Sequence, residues 1–282
     1  QLGYAYYKQN DYNSAISEFN KIIGGDNSVA QNAYYHLGES YINLDKKQEA
    51  LNAFRNASQM DFDLKIQEDA WLNYAKISYE IGNPYQSVPQ VLTGYLKQYP
   101  NSGFKNEVET LLIDSYITSK NYKEALELLK GKNSFEHKAA YQKVAFFRAV
   151  ELYNENKYND ALKLFKSSLK EPRDPVFVAK ATFWKAETEY NLTNYNDALI
   201  DFKQFNGFSE SSNLPENENL NYNLAYTYFK LKDYNNASNY FEKFIAQPKN
   251  DNLRQNDAYL RLADGYFVSS NYKDAIDAYN KA

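Results

Sequence analysis

The residue types that most often carry chemistry are sparse in this chain. There is no cysteine, so disulfides, thiolate nucleophiles and thiolate metal ligands are excluded. The two histidines, His36 and His137, are far apart in sequence, and neither suggests a Ser-His-Asp order or a metal-ligand spacing. His36 adjoins Leu37 within a helical pattern and reads as a packed or surface side chain rather than a proton shuttle. Gly24-Gly25-Asp26-Asn27 is the one glycine pair; it follows a helical pattern, lacks a phosphate-loop lysine, and reads as a helix C-cap and turn. Carboxylate pairs such as Asp61/Asp63 carry little information among 36 acidic residues. Asn56, Asn191 and Asn236 open glycosylation sequons, as chance provides in an Asn-rich chain. The unusual chemistry is aromatic: 28 Tyr and 17 Phe make most of a 17% aromatic share. Tyrosine brings a large apolar face and a polar tip, which suits half-buried contact surfaces. We therefore expect recognition rather than catalysis, with no catalytic residue, no metal and no cofactor.

Charge and hydropathy narrow the partner class. The net charge of −4 and pI of about 5.4 leave no basic footprint for nucleic acid. No apolar run approaches the ~20 residues of a membrane span, so this segment is not expected to insert in a bilayer. Gln1-Leu2-Gly3-Tyr4 and Ala278-Tyr279-Asn280-Lys281-Ala282 both read as helix interiors, the pattern expected of a segment of a longer protein.

The elements that must position the aromatics follow from an internal repeat. Asp11-Tyr12-Asn13-Ser14-Ala15 returns as Asn121-Tyr122-Lys123-Glu124-Ala125, Lys157-Tyr158-Asn159-Asp160-Ala161 and Asn194-Tyr195-Asn196-Asp197-Ala198. It returns again as Asp233-Tyr234-Asn235-Asn236-Ala237 and Asn271-Tyr272-Lys273-Asp274-Ala275, with weaker copies at Lys46–Ala50 and Pro84–Val88. The second residues stand at 12, 47, 85, 122, 158, 195, 234 and 272, at intervals of 35 to 39. Such a period without strand punctuation indicates stacked helical hairpins. Upstream of each phrase, apolar residues recur at helical spacing, as in Tyr34, Leu37, Gly38 and Tyr41. Downstream, a small residue is followed four later by a large one, as in Ala50/Phe54 and Ala198/Phe202. The polar phrase is the turn between the two helices.

The stretch Tyr34…Leu37-Gly38…Tyr41…Ala50…Phe54…Ala57 resembles the tetratricopeptide repeat (TPR) nearly in full, and Asn221…Phe241 and Tyr259…Tyr279 resemble it well. The resemblance covers the whole chain. It implies an all-α, right-handed superhelical solenoid of about eight hairpins, a single domain over 1–282 with approximate repeats 1–29, 30–67, 68–104, 105–140, 141–177, 178–216, 217–254 and 255–282. Gly3, Gly38, Ala75, Ala149, Ala186, Ala225 and Ala263 are small where the two helices of a hairpin cross, and Ile113 stands at that position in the fourth repeat. The Phe or Tyr one turn after each small downstream residue is expected to fill the space between neighbouring hairpins. The fourth repeat departs further, with its second helix ending at Lys130-Gly131-Lys132-Asn133 and Phe135-Glu136-His137 left in a linker. The third has a turn one residue longer, at Ile81-Gly82-Asn83-Pro84, and residues 206–215 read as a long exposed loop, a candidate hinge. The period and the phrase Tyr99-Pro100-Asn101-Ser102 are similar to repeats of bacterial cell-envelope proteins, such as outer-membrane assembly lipoproteins and the periplasmic Tol–Pal coordinator. That similarity implies a periplasmic or outer-membrane-associated setting, with the cytoplasm as the alternative.

In the TPR family the first helix of each hairpin lines a concave groove. The family's geometry, carried to the residues around each crossing, implies an aromatic stripe of Tyr35, Tyr79, Phe146, Tyr153, Phe183, Tyr190, Tyr222, Tyr226, Phe229 and Phe267, with Tyr4 and Tyr7 at the start. Glu39, Asp114, Glu187 and Asp264 interrupt it. The expected partner is a protein: an extended peptide or a helix. The clamp that some TPR proteins use for C-terminal carboxylates needs an Asn where this chain has Tyr4, Glu39, Lys76, Asp114, Val150, Glu187, Tyr226 and Asp264, so that mode is not expected. Glycan or peptidoglycan binding and a structural spacer or oligomerisation role are the alternatives. If the small residues set the helix crossings, Ala198→Leu overpacks one and lowers stability by ~1–3 kcal/mol, measurable by urea unfolding.

Overall fold

The computed structural model describes residues 1–170, 172–247 and 251–282. Among the described residues there are sixteen α-helices, one 3-10 turn at Ser211–Asn213 and no strand, which is the all-α repeat fold expected. The chain forms two compact units. Residues 1–121 hold α1 (Leu2–Lys8), α2 (Tyr12–Phe19), α3 (Ser28–Asn43), α4 (Lys47–Ser58), α5 (Leu64–Ile81), α6 (Val88–Gln98) and α7 (Lys105–Thr118). Residues 122–282 hold α8 (Tyr122–Leu129), α9 (Phe135–Asn154), α10 (Tyr158–Lys170), α11 (Pro175–Asn191), α12 (Tyr195–Asn206), α13 (Asn217–Lys230), α14 (Tyr234–Ile245), α15 (Asn252–Val268) and α16 (Tyr272–Tyr279). The division falls inside the expected repeat 105–140, between its two helices. Within each unit every helix packs on the next, and first helices of successive hairpins also touch: α1 on α3, α3 on α5 and α5 on α7 in one unit, α9 on α11 in the other.

The crossings are as tight as the small residues allow. A Cβ on Gly38 would lie 2.7 Å from the Phe54 ring, and one on Gly3 would lie 2.9 Å from Phe19. Ala75, Ala149, Ala186, Ala225 and Ala263 are wholly buried, as are Ala15, Ala50, Ala125, Ala161 and Ala198. Ile113 is buried in the same position of α7. Phe19 and Phe54 therefore cover the glycine of their own hairpin, rather than filling only the space between hairpins as the sequence suggested.

The turn phrase has a common geometry. Asn10, Asp45, Lys120, Asn156, Thr193, Lys232 and Ser270 all have φ between 56° and 63°. The next residue's N–H then reaches back to the carbonyl five residues earlier, as in Asn194 to Glu189 at 2.8 Å and Lys46 to Tyr41 at 2.9 Å. This is the Schellman closure, which satisfies carbonyls that a helix end leaves orphaned. The Asp or Asn of the phrase is thus both the last residue of the turn and the N-cap of the second helix; Asp11 and Asp233 accept from the backbone N–H of Ser14 and Asn236, each at 3.2 Å. The tyrosine that follows packs edge-on against an aromatic five residues earlier. The pairs are Tyr7/Tyr12, Tyr153/Tyr158, Tyr190/Tyr195, Phe229/Tyr234 and Phe267/Tyr272, with ring centroids 5.3–6.0 Å apart.

A second recurring device joins hairpins. Gln31, fully buried on α3, donates to the carbonyls of Met60 (2.7 Å) and Asp63 (3.1 Å) and accepts from the Asp63 N–H at 2.7 Å. Gln142, fully buried on α9, accepts from the N–H groups of Arg173 (3.0 Å) and Asp174 (2.8 Å) and donates to the Asp174 carbonyl at 3.2 Å. In each case a first-helix amide fixes the linker that enters the next first helix. An amide among apolar neighbours reads as a surface residue in sequence, so these latches are not legible there.

Four local expectations are corrected. The turn around Pro84 is longer than the one extra residue expected: the second helix begins at Val88, because Gly82 takes φ +81° and the Asn83 side chain binds the Tyr74 and Ser78 hydroxyls, both at 2.8 Å, extending the turn to a Ser87 capping box. Phe135, Glu136 and His137 open α9 instead of lying in a linker, with Ser134 as N-cap to His137 N–H at 3.2 Å. Gly24-Gly25 is not a left-handed C-cap, since neither glycine has positive φ; Asn27 instead caps α3 by accepting from Ala30 N–H at 2.9 Å. Residues 206–215 are anchored, with Ser211 buried and Phe208 and Leu214 packed against the core around Phe202 and Phe205. Gln142→Leu keeps volume but strips two backbone N–H groups of their acceptor, and lowers stability by about 1–3 kcal/mol in urea unfolding.

Candidate functional site

In the unit of residues 122–282, three successive first helices meet around an open cavity of about 610 Å³. Its walls follow helical spacing. From α11 come Phe183, Trp184, Glu187, Tyr190 and Asn191; from α13 come Asn219, Tyr222, Asn223 and Tyr226. Offsets of three and four put each set on one helix face. Tyr153 of α9, Phe202 of α12, Arg254 of α15 and Pro215-Glu216, at the entry to α13, complete it.

The aromatic rings brace one another. Trp184 packs edge-on against Tyr153 at 5.2 Å, and Phe183 does so against Phe202 and Phe205 at 5.5 and 5.1 Å. Tyr222 and Tyr226 tilt together at 4.9 Å; Tyr222 donates its hydroxyl to Asp257 at 2.7 Å, and the Tyr226 hydroxyl donates to the same carboxylate. The Tyr226 oxygen also accepts from Arg261 Nε at 3.3 Å. Burial pushes the phenols of Tyr153, Tyr190, Tyr222 and Tyr226 up, and the Asp257 carboxylate adds to this for the last three, so all remain neutral donors.

Glu187 is the polar centre of the cavity. It accepts from the Asn223 amide, and the Tyr153 hydroxyl lies at 3.5 Å. Desolvation among the rings pushes its carboxyl up to about 7, against the smaller opposing effects of the Tyr153 hydroxyl and Arg254. Asn191 donates to the Tyr153 oxygen at 3.0 Å and to the Glu187 carbonyl at 2.8 Å. Trp184 Nε1 donates to one Glu216 oxygen at 3.1 Å, while the other Glu216 oxygen is buried with no hydrogen-bond partner. Lys185, the nearest lysine in sequence, is engaged elsewhere: it pairs with Glu189 at 3.1 Å and with Asp201.

Of the ten stripe residues, the structure brings Tyr153, Phe183, Tyr190, Tyr222 and Tyr226 to this cavity. Phe146 does not join them: it is 5% exposed and packs on Phe147, Phe165 and Phe177, because its position on α9 faces the hairpin core. Phe229 and Phe267 are held by their turn partners Tyr234 and Tyr272 and lie outside the cavity. In the other unit, Tyr35 packs on His36 and Phe54, with its phenol pushed up by burial and Glu39, and Tyr79 is exposed. His36 is a packed histidine, ringed by Tyr4, Tyr7, Phe19 and Tyr35 and bonded to Glu39 at 2.6 Å. The sequence reading missed Trp184, Asn191, Asn219, Asn223 and Arg254. The first four continue the helical steps 184, 187, 191 and 219, 223, 226, so the periodicity contained that signal. Arg254 reaches in from the next repeat, and no spacing rule points to it.

The comparisons with known proteins agree with this architecture. Residues 219–250 match the tetratricopeptide repeat family, and residues 1–57 match the family of anaphase-promoting complex, cyclosome, subunit 3. No curated protein matches the sequence. Among solved structures, the C-terminal part of a TPR repeat-containing protein from Cytophaga hutchinsonii is 16% identical, with 91% of this chain and 98% of that one covered and a TM-score of 0.52. A chain from the structure of Naa15/Naa10 bound to HypK-THB is 14% identical with a TM-score of 0.54; the match covers 94% of this chain and 38% of that one. The fold and the family matches thus support a TPR-type helical-repeat scaffold, a class whose members commonly bind other proteins.

Folding raises the Glu187 carboxyl from its ordinary 4.5 to about 7, so over that window the folded chain keeps a proton that the unfolded chain has released. Glu187 therefore costs stability increasingly as pH rises through the window. Glu187→Gln removes that cost: it raises the urea midpoint near pH 8 and changes it little at about pH 5.

Proposed function

We propose that the chain is a non-catalytic scaffold that holds a peptide or partner helix on the aromatic face of its first helices, with the cavity of residues 122–282 as the principal contact. The observation that carries this reading is the convergence of Tyr153, Phe183, Tyr190, Tyr222 and Tyr226, from three successive repeats, on one open cavity of about 610 Å³. Rigid aromatic side chains give contact area at low entropic cost, and Asn191, Asn219 and Asn223 add amides able to meet a peptide's own donors and acceptors. The volume lies within the roughly 300–1,000 Å³ of ordinary ligand sites. No cluster of His, Asp or Glu able to hold a metal occurs among the described residues. The phrase Tyr99-Pro100-Asn101-Ser102 supports a place in a bacterial cell-envelope assembly, periplasmic or outer-membrane-associated.

The test is selection of a random heptapeptide library on the whole chain and on Tyr190→Ala/Tyr226→Ala, after circular dichroism shows equal helicity. Peptides enriched by the wild type and bound at least about tenfold more weakly by the variant are the expected result. Equal binding by both removes the cavity from the contact, and moves binding to the second helices.

A further inference from the structure

The cavity contains more acid than base. Glu187 and Glu216 both line it, and the single cation there is Arg254. Arg254 is already engaged: it pairs with Asp251 at 3.4 Å, donates to Asn219 at 3.1 Å and lies 6.0 Å from the Tyr222 ring centroid. Glu187 receives only neutral donors, Asn223 and the Tyr153 hydroxyl, and no lysine or arginine lies within 4 Å of it among the described residues. The buried second oxygen of Glu216 has no donor at all. Around these two carboxylates stand Tyr153, Trp184, Tyr190, Tyr222 and Tyr226, whose ring faces attract cations. A desolvated carboxylate walled by aromatic rings is complementary to a positive charge, which supplies both the counter-ion and the missing donors.

We infer that the cavity recognises a basic side chain, lysine or arginine, of the bound peptide, with Glu187 as its counter-charge and the tyrosine and tryptophan rings as its cage. This rests on the peptide-binding reading above and specifies its occupant. At about 610 Å³ the cavity admits the basic side chain together with part of its neighbours. The charge pattern is opposite to that of a clamp for a terminal carboxylate. The groups facing Glu187 are Tyr153 from α9, Tyr190 and Asn191 from its own helix, Asn223 from α13 and Arg254 from α15. None of the tyrosines titrates near neutrality, so the pH response of cation binding belongs to Glu187. Its carboxyl, held up at about 7, must ionise to receive the cation, and binding tightens as pH rises.

The experiment uses the peptides recovered from the unbiased library. Each is synthesised with blocked ends, alongside a version in which its basic residue is norleucine. Affinities are read by calorimetry, and by the fluorescence of Trp184 in a Trp71→Phe background, where it is the sole tryptophan. The expected results are a common lysine or arginine among cavity-dependent peptides and a loss of about tenfold or more on norleucine replacement. Glu187→Gln gives the same loss for the basic peptide and none for the norleucine one. Between pH 6 and 8 the wild type gains about tenfold for the basic peptide, while Glu187→Gln stays flat. Cavity-dependent peptides without a basic residue, or a basic residue indifferent to Glu187→Gln, overturn the cation pocket and leave peptide binding standing. Recovery of no peptide that depends on Tyr190 and Tyr226 overturns both.

Discussion

Most hairpins depend on the close approach of their two helices at one point, occupied by glycine or alanine; α7, with Ile113 buried there, is the exception. Gly38 shows the constraint most sharply, with the Phe54 ring occupying the volume a Cβ would need. Ala75, Ala149, Ala186, Ala225 and Ala263 are the same solution one methyl larger. Because interiors are packed at crystal-like density, the aromatic one turn beyond the small residue has a single place to go, over its own crossing. That fixes the hairpin angle and so the helix face that remains for the next repeat. A hairpin alone leaves this face exposed; stacking buries it, and buried glutamines such as Gln142 then set how the following helix enters.

The aromatic residues divide between two duties set by their place relative to the turn. Tyr153, Tyr190, Phe229 and Phe267 each close a left-handed turn by packing on the tyrosine that opens the next helix. Phe229 packs on its turn partner and on the core around Phe241, whereas Phe267 touches Tyr272 and stays 57% exposed. Tyr153 and Tyr190 serve both the turn and the cavity, because on α9 and α11 the turn pair lies at the edge of the cavity, next to Glu187. The cavity is thus assembled from side chains that the fold already immobilises, so little ordering entropy is left to lose on binding.

The repeat, the helix count and the crossing residues were legible because each rests on periodicity, which repetition in one chain makes visible. Gly82 and Asn83 lengthened the turn before Val88 beyond the one extra residue expected, because the bonds of one asparagine side chain to Tyr74, Ser78 and the Tyr85 N–H outweighed the repeating phrase. Phe146 was misplaced because the position three before the crossing lies near the boundary between core and open face; Phe183 is buried there too, at 4% exposure, yet borders the cavity. Arg254 and the anchoring of residues 206–215 depend on contacts between elements distant in sequence, which no local pattern encodes. The polar members Asn191, Asn219 and Asn223 lie on the same helical steps as the tyrosines, but asparagine is so common in this chain that its type alone marks no site.

The central claim is that the first-helix face, rather than the second, meets the partner. Site-specific photocrosslinking tests it most directly, with p-benzoylphenylalanine placed at Tyr190 on α11 or at Ile200 on α12, which is 63% exposed. Each variant is irradiated in the native host and the covalent products are resolved by mass. The account predicts a discrete adduct from position 190 and none from position 200. An adduct from position 200 alone would contradict it.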